Sequence, residues 1–376
     1  MIPLSEFLAA AVGPLRLIAQ WHRYLIEAKS GVGTRGSGVV DSLLTEADFL
    51  RTFQLNPELK LHYIRTLRPD EVDSNAPHDP SRGGPPGRSY VSASPGECLQ
   101  PTEILAAHAD EPDWGMDQDL FHIKGYGYGP CPYGPDYGAG SQAPFHMAFL
   151  KGSSLLVRLR PLLTRNFMGE RIRLFFVLAR LAFDVRALYW GWRFTSWAMH
   201  YLQDLTQPYH AVPIPFPLVP AFLKAVVRGG TRRFVEQNRN LLRNRHCLFE
   251  AAVHYILNDA VKRLNNHPFP YSLEGEGDAC IGTIRSVTTE FGSAAARSAG
   301  STDRAMMGLD LQSRITDPNY SLEEDDVFRI DEAVARSSRE RPTQYRRFLD
   351  VVAASLRLTG RVTRFAVRRI EDSVPV

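Results

Sequence analysis

Arg171-Ile-Arg-Leu-Phe-Phe-Val-Leu-Ala-Arg180-Leu-Ala-Phe-Asp-Val-Arg-Ala-Leu-Tyr-Trp190-Gly-Trp-Arg-Phe-Thr-Ser-Trp-Ala-Met-His200 is the stretch that decides the fold class. Apolar residues fill it without the strict alternation of a half-buried strand, and it is several times longer than a strand. Arg173, Arg180, Arg186 and Arg193 punctuate it among Trp190, Trp192 and Trp197. A buried helix accounts for that mixture, with arginine stems lying along apolar surface and their heads held in water.

Outward from this run, helix is predicted from His146 to about Leu205. The same three- and four-residue spacing of apolar side chains runs over Phe7–Ile26. Asn56-Pro57-Glu58 reads as a helix start, with an Asn cap, a Pro at the first helical position and an early acid, and Leu59–Leu67 continues the pattern. From Arg68 to Gln100 the chain is broken by Gly83-Gly84-Pro85-Pro86-Gly87 and similar clusters, which predicts a long loop. A short helix follows at Pro101–His108, then Asp110-Glu-Pro-Asp-Trp114 and a Gly/Tyr/Pro-rich loop from Gly125 to Gly140. Further helices are predicted over Asn244–Asn265, about Asp325–Ser338, and Pro342–Glu371. With no internal repeat and no alternating strand, the fold class is all-α, a multi-helix fold with long irregular loops. The expected organisation is an N-terminal helical segment (1–67), a flexible loop (68–100), a helical core (101–280) and a C-terminal helical segment packed on it (281–376).

The 376 residues are 44% hydrophobic and 23% charged, which excludes a wholly disordered chain. Forty-four Lys plus Arg against 41 Asp plus Glu leave +3, too little for a general nucleic-acid coat. Cys98, Cys131, Cys247 and Cys280 form no CxxC pair, so neither a thiolate zinc ribbon nor a thioredoxin-type dithiol is expected. Met1-Ile-Pro-Leu-Ser-Glu6 lacks a basic n-region, and Glu6 interrupts the apolar run a signal peptide needs. Pro208–Leu223, the longest uncharged candidate for a membrane span, carries five prolines. A cytoplasmic or peripheral-membrane location is the expectation.

Two pairs carry the chemistry: His200-Tyr-Leu-Gln-Asp204 and His246-Cys-Leu-Phe-Glu250. Residues four apart share a helix face, so each pair presents an imidazole and a carboxylate to one point. One such pair is usually an ordinary surface contact. Two within fifty residues, on apolar helices, with His210 of Gln207-Pro-Tyr-His between them, favour a metal, because buried ionisable groups need partners. Imidazole nitrogen with carboxylate oxygen is a zinc donor set, at roughly 2.0–2.2 Å from the ion.

The segment Trp197-Ala-Met-His-Tyr-Leu-Gln-Asp-Leu-Thr-Gln-Pro-Tyr-His-Ala211, with the later His246-Cys-Leu-Phe-Glu250, resembles the zinc-dependent phospholipase C and fungal single-strand nuclease superfamily. The match is specific around His200, moderate around His246, and covers at most a third of the chain. It implies an all-helical phospholipase C/nuclease-like fold with a trinuclear, or at least dinuclear, zinc site hydrolysing a phosphodiester. Carried over, His200 and Asp204 sit on the first zinc, and His210, His246 and Glu250 hold the second. An upstream Asp bridges two metals and holds the attacking hydroxide, a catalytic role that falls to Asp113. A further His completes the first site. His146 is favoured for its apolar neighbours and its place at the start of a helix, and His122, nearer Asp113, competes. The family's third zinc uses a residue exposed by signal cleavage, usually Trp, and no such residue is evident. Trp21-His22 reads as a helix face.

The connection from His210 to His246 is longer than the resemblance suggests. It runs through Pro213-Ile-Pro-Phe-Pro-Leu-Val-Pro220 into a basic stretch that includes Arg232, Arg233, Arg239, Arg243 and Arg245. A packed connection followed by a solvated basic helix is its plain reading. A peripheral membrane contact through 211–245 is the functional one. The expected activity is phospholipase C-like hydrolysis of a phospholipid or other phosphodiester by metal-activated water. Single-strand nuclease or nucleotidase activity is the alternative, with Tyr126, Tyr128, Tyr133 and Tyr137 as stacking platforms for bases of a nucleic-acid substrate. A non-catalytic, membrane-associated zinc protein is the third. Cys247 is expected in the core.

Overall fold

The computed structural model describes residues 1–32, 43, 45–67, 90–149, 161–213, 230–262, 272–273, 282–309, 317, 319–320 and 330–374. Much of the 68–100 loop and the apolar-proline stretch 214–220 lie outside them, as do the side chains of Thr231 and Arg232.

The protein is all-α. Helix α1 (Leu4–Ser30) buries Phe7, Leu8, Ala11, Leu15, Ala19, His22 and Ile26, the three- and four-residue rhythm of its sequence, and ends where Gly31 turns left-handed and donates its N–H to Glu27 O. Helix α2 (Glu46–Thr52) opens on a capping box between Thr45 and Asp48. A short antiparallel ribbon pairs β1 (Ile64–Thr66) with β2 (Tyr90–Ser92), in the register Ile64 opposite Ser92. Helix α3 (Pro101–His108) follows, as predicted, and a one-turn α4 (Ala143–His146) comes after the Gly/Tyr loop.

The decisive run is two helices, not one. Helix α5 (Met168–Asp184) and helix α6 (Leu188–Asp204) form a hairpin broken where Arg186 adopts φ 60° and Ala187 N–H reaches back to Ala182 O. Gly191 lets the two helices approach, since a Cβ there would lie 2.5 Å from the Phe183 ring. Arg193 does not snorkel: like Arg171 it is fully buried and ion-paired. Beyond α6 lie α7 (Pro208–Ala211), α8 (Thr231–Lys262), α9 (Ile284–Met307), α10 (Ile330–Glu340) and α11 (Pro342–Glu371).

Three expectations are corrected. The helix predicted after Asn56 is a turn leading into β1; Asn56 instead bonds its side chain to Gly115 O and accepts from Glu58 N–H. His146 closes a helical turn and does not open a helix. Helix α9, rich in Ser, Ala and Thr, was not anticipated.

Among the described residues, two apolar clusters build the interior. The larger joins α1, α2, α5 and α6 to the C-terminal half of α11, through Phe7, Phe194, Trp197, Val362 and Phe365 among others. The smaller joins α8 and α10 to the first half of α11, through Leu248, Phe249, Phe348 and Val352. Helix α11 therefore runs from one cluster to the other, and the functional groups collect where α6 passes into α7 and α8.

Candidate metal centre

Each candidate side chain is placed by a local rule. His200 and Asp204 are one turn apart at the C-terminal end of α6, and His246 and Glu250 one turn apart on α8. Gln207 caps α7 by accepting from Tyr209 N–H, and Pro208 occupies the first helical position, so His210 follows at a fixed angle. His210 O accepts from Ala148 N–H (2.9 Å), tying α7 to the segment that leaves His146. Asp113 sits in a 3-10 turn, Glu111–Trp114, closed by Gly115 at φ 97°.

The seven side chains form two groups. In the first, Asp113 Oδ1 lies 3.3 Å from His146 Nδ1 and 3.5 Å from His200 Nε2, and the two imidazole nitrogens are 3.1 Å apart. Asp204 Oδ2 lies 3.0 and 3.3 Å from the same nitrogens. In the second, His210 Nε2 is 2.8 Å from His246 Nε2 and 3.6 Å from Glu250 Oε1, which is 2.8 Å from His246 Nε2. The other oxygen of Asp204, Oδ1, lies 3.1 Å from His210 Nδ1, out of line for a hydrogen bond. Asp204 thus touches both groups. Asp113 stands in the first group, and Asp204 has an oxygen against each group.

The residues fit a metal. Donors at 2.0–2.2 Å around a tetrahedral ion stand about 3.3–3.6 Å from one another, and the observed separations scatter around that edge. Asp113, His146 and His200 form one set able to hold an ion, and His210, His246 and Glu250 another. Nitrogen facing nitrogen beside a carboxylate also requires something positive between them, either a shared proton or a cation.

Outer contacts fix the imidazoles. His200 Nδ1–H donates to Ala109 O (2.8 Å), which turns a bare Nε2 toward the first group. The far nitrogen of His146, Nε2, faces Asp117 Oδ2 at 3.5 Å. Asp117 is fully buried, paired with Arg171 (2.7 Å) and bonded by Tyr201 O–H. Beneath the Asp113 turn, buried Glu111 accepts from Trp197 Nε1–H (2.8 Å), Arg193 Nε–H (2.9 Å) and His108 Nδ1–H (2.9 Å).

These carboxylates set the charge of the site. Burial works against charge on His146, yet the carboxylates of Asp117, Asp204 and Asp113 around it outweigh that and hold the imidazole at about 9. Burial likewise opposes charge on His210, and the Asp204 charge lifts it to about 10. Asp204 and Glu250 are pushed below the usual carboxylate range, burial being outweighed by the imidazoles around them. The pocket strongly favours positive charge at these nitrogens, which is what a bound cation supplies.

His122 is not part of the site: its ring stacks on Tyr137 (3.8 Å) and its Nε2 bonds Asp136 O. Trp21 lies partly exposed on α1, and His22 is buried beside Arg171, as a helix face requires. Tyr126 and Tyr128 are buried, their hydroxyls spent on Leu55 O and Gln54 O, and Tyr133 donates to Met147 O. Cys247 packs against the smaller apolar cluster. Sequence reasoning missed Asp117, the Ala109 carbonyl and His254. Only His254 was signalled, by its place four residues beyond Glu250. Comparison with protein-family models, curated proteins and solved structures gives no match.

Proposed function

We propose that the protein is a zinc-dependent phosphodiester hydrolase of phospholipase C type. The observation that carries this is the pair of histidine–carboxylate groups sharing Asp204, in the ligand order of the superfamily it resembles. When bound, a zinc pair supplies an acidified water and positive charge at the attacked phosphate. The chain's own part is positional. Asp113 is the open member of its group, with 59% of its side chain exposed. Although its side chain reaches solvent, the packed groups around its carboxyl would raise it; the imidazoles of His200 and His146 outweigh them and hold it below the usual range, so it orients a water and leaves the proton where it is. Asp204 fixes His146, His200 and His210 relative to one another.

Phospholipid is favoured over nucleic acid because the tyrosines expected to stack bases are occupied: Tyr126 and Tyr128 are core residues, and exposed Tyr137 lies on His122. Catalysis is favoured over a structural zinc because Glu250 is half exposed and lines a pocket beside the second group. Exposed Arg233, Arg239 and Arg243 on α8 fit a peripheral contact with anionic lipid. Metal analysis of the purified protein, with parallel assays on phosphatidylcholine vesicles and single-stranded DNA, tests this. Zinc with lipid hydrolysis is expected. Hydrolysis of DNA alone would transfer the site to the nuclease reading, and a metal-free, inactive protein would end the proposal.

A further inference from the structure

Beside the second group a cavity of about 290 Å³ opens between the end of α6, α8 and α11. One end is formed by His200, Asp204 and Glu250, members of the two groups. Phe249, Val253 and Leu257 from α8, with Val352 and Leu356 from α11, give the lining an apolar side, and Gln203, Thr206, Gln207, Ser355 and Thr359 complete it. Those α8 residues recur every four positions, so the wall extends about 12 Å along the helix at 1.5 Å per residue. The cavity is at the small end of ligand pockets.

Among the described residues lining this cavity, four side chains are acidic or basic: His200, Asp204, Glu250 and His254. The first three are engaged in the two groups; α11 contributes Val352, Ser355, Leu356 and Thr359, none of them acidic or basic. His254 stands alone on the wall. It follows His246 and Glu250 at the same four-residue interval, so the three share one face of α8, and it lies about 6 Å along the axis from Glu250. It is exposed, while apolar Val253 and Leu257 flank the same cavity.

We propose that His254 is a catalytic acid, protonating an aliphatic leaving group that lies along the apolar wall. This rests on the phosphodiester-hydrolase reading above. An aliphatic alkoxide leaves poorly without a proton, and a positioned acid contributes roughly 10²–10⁴ in rate. The step balances as one water consumed. The water oxygen bonds to phosphorus, and the bond from phosphorus to the alcohol oxygen breaks with its electron pair on that oxygen. The imidazolium of His254 gives that oxygen its proton. The proton lost by the water passes to solvent, from which His254 is recharged.

The test uses the full-length, zinc-reconstituted protein with two substrates, decyl methyl phosphate and 4-nitrophenyl methyl phosphate, the second leaving as a phenolate that needs no proton. His254→Gln should lower decanol release at least 100-fold and nitrophenolate release less than threefold. Its zinc content should be unchanged, and calorimetry should show its affinity for decylphosphonate within twofold of wild type. Leu257→Ser should weaken decylphosphonate about tenfold while inorganic phosphate binding stays the same. Equal losses on both substrates, no loss on either, or decylphosphonate binding no tighter than phosphate would each overturn the inference. Wild-type protein that binds zinc yet hydrolyses neither substrate would overturn the proposed function itself. Hydrolysis of both substrates with His254→Gln unaffected would remove only the acid.

Discussion

At the scale of single residues, the site is a set of imidazoles oriented from behind and charged from in front. His246 is the second group's link from α8 to α7, 2.8 Å from both His210 Nε2 and Glu250 Oε1. His246→Ala should lower both zinc content and thermal stability, because the remaining carboxylate faces less compensating charge. Unchanged zinc stoichiometry and melting temperature would count against its role as a ligand. Asp117 acts on His146 from behind, and Asp117→Asn should weaken zinc binding by about 10- to 100-fold, measured by competition with a chelator, while all seven candidate ligands stay in place. The candidate ligands could be read from the chain because helical spacing brings residues four apart together. Asp117 could not: it is also four residues from Asp113, but Gly115 at φ 97° breaks any helical relation between them. Nor could Ala109, whose contribution is a backbone carbonyl.

At the scale of elements, local signals were sufficient where an element is made by its own residues. The bounds predicted for α11, Pro342–Glu371, are those observed, set by a Pro at the first helical position and an unbroken amphipathic pattern. Prediction failed where partners are remote. Residues 59–67 look helical, but Leu61 N–H is taken by Glu46 Oε1, and β1 pairs with a strand more than twenty residues away. The break between α5 and α6 carries neither Gly nor Pro and depends on Arg186 at φ 60°, a conformation its residue type does not announce. The close approach that follows is testable. Gly191→Ala should destabilise the protein by about 1–3 kcal/mol, read as a lower urea midpoint with unchanged slope, because Phe183 has to give way. A neutral effect would show that the hairpin packs more loosely than described.

At the scale of the whole molecule, the buried ion network under the site links stability to pH. Burial, assisted by the Arg193 charge, lowers His108 to about 4, so it is folded in neutral form. In the unfolded chain an imidazole titrates near 6.5, so between about 6.5 and 4 the unfolded state binds the extra proton and stability falls as pH falls. Glu111, buried but held at about 2 by Arg193 and His108, adds a second loss as pH drops from its ordinary value of 4.5 toward 2. His108→Gln removes only the first. Wild type should therefore lose about 3 kcal/mol relative to His108→Gln between pH 6.5 and 4, measured by urea unfolding. A pH-independent difference would mean that His108 is not folded in neutral form.

The central claim is that the chain builds a single two-metal centre from the Asp113 turn, α4, α6, α7 and α8. Anomalous diffraction from crystals of the zinc-loaded protein, recorded at the zinc absorption edge, tests it most directly. Two peaks are predicted about 3.5–4 Å apart. One should lie among Asp113, His146 and His200, the other among His210, His246 and Glu250, with Asp204 beside both. A single peak, or none within reach of these side chains, would contradict the account.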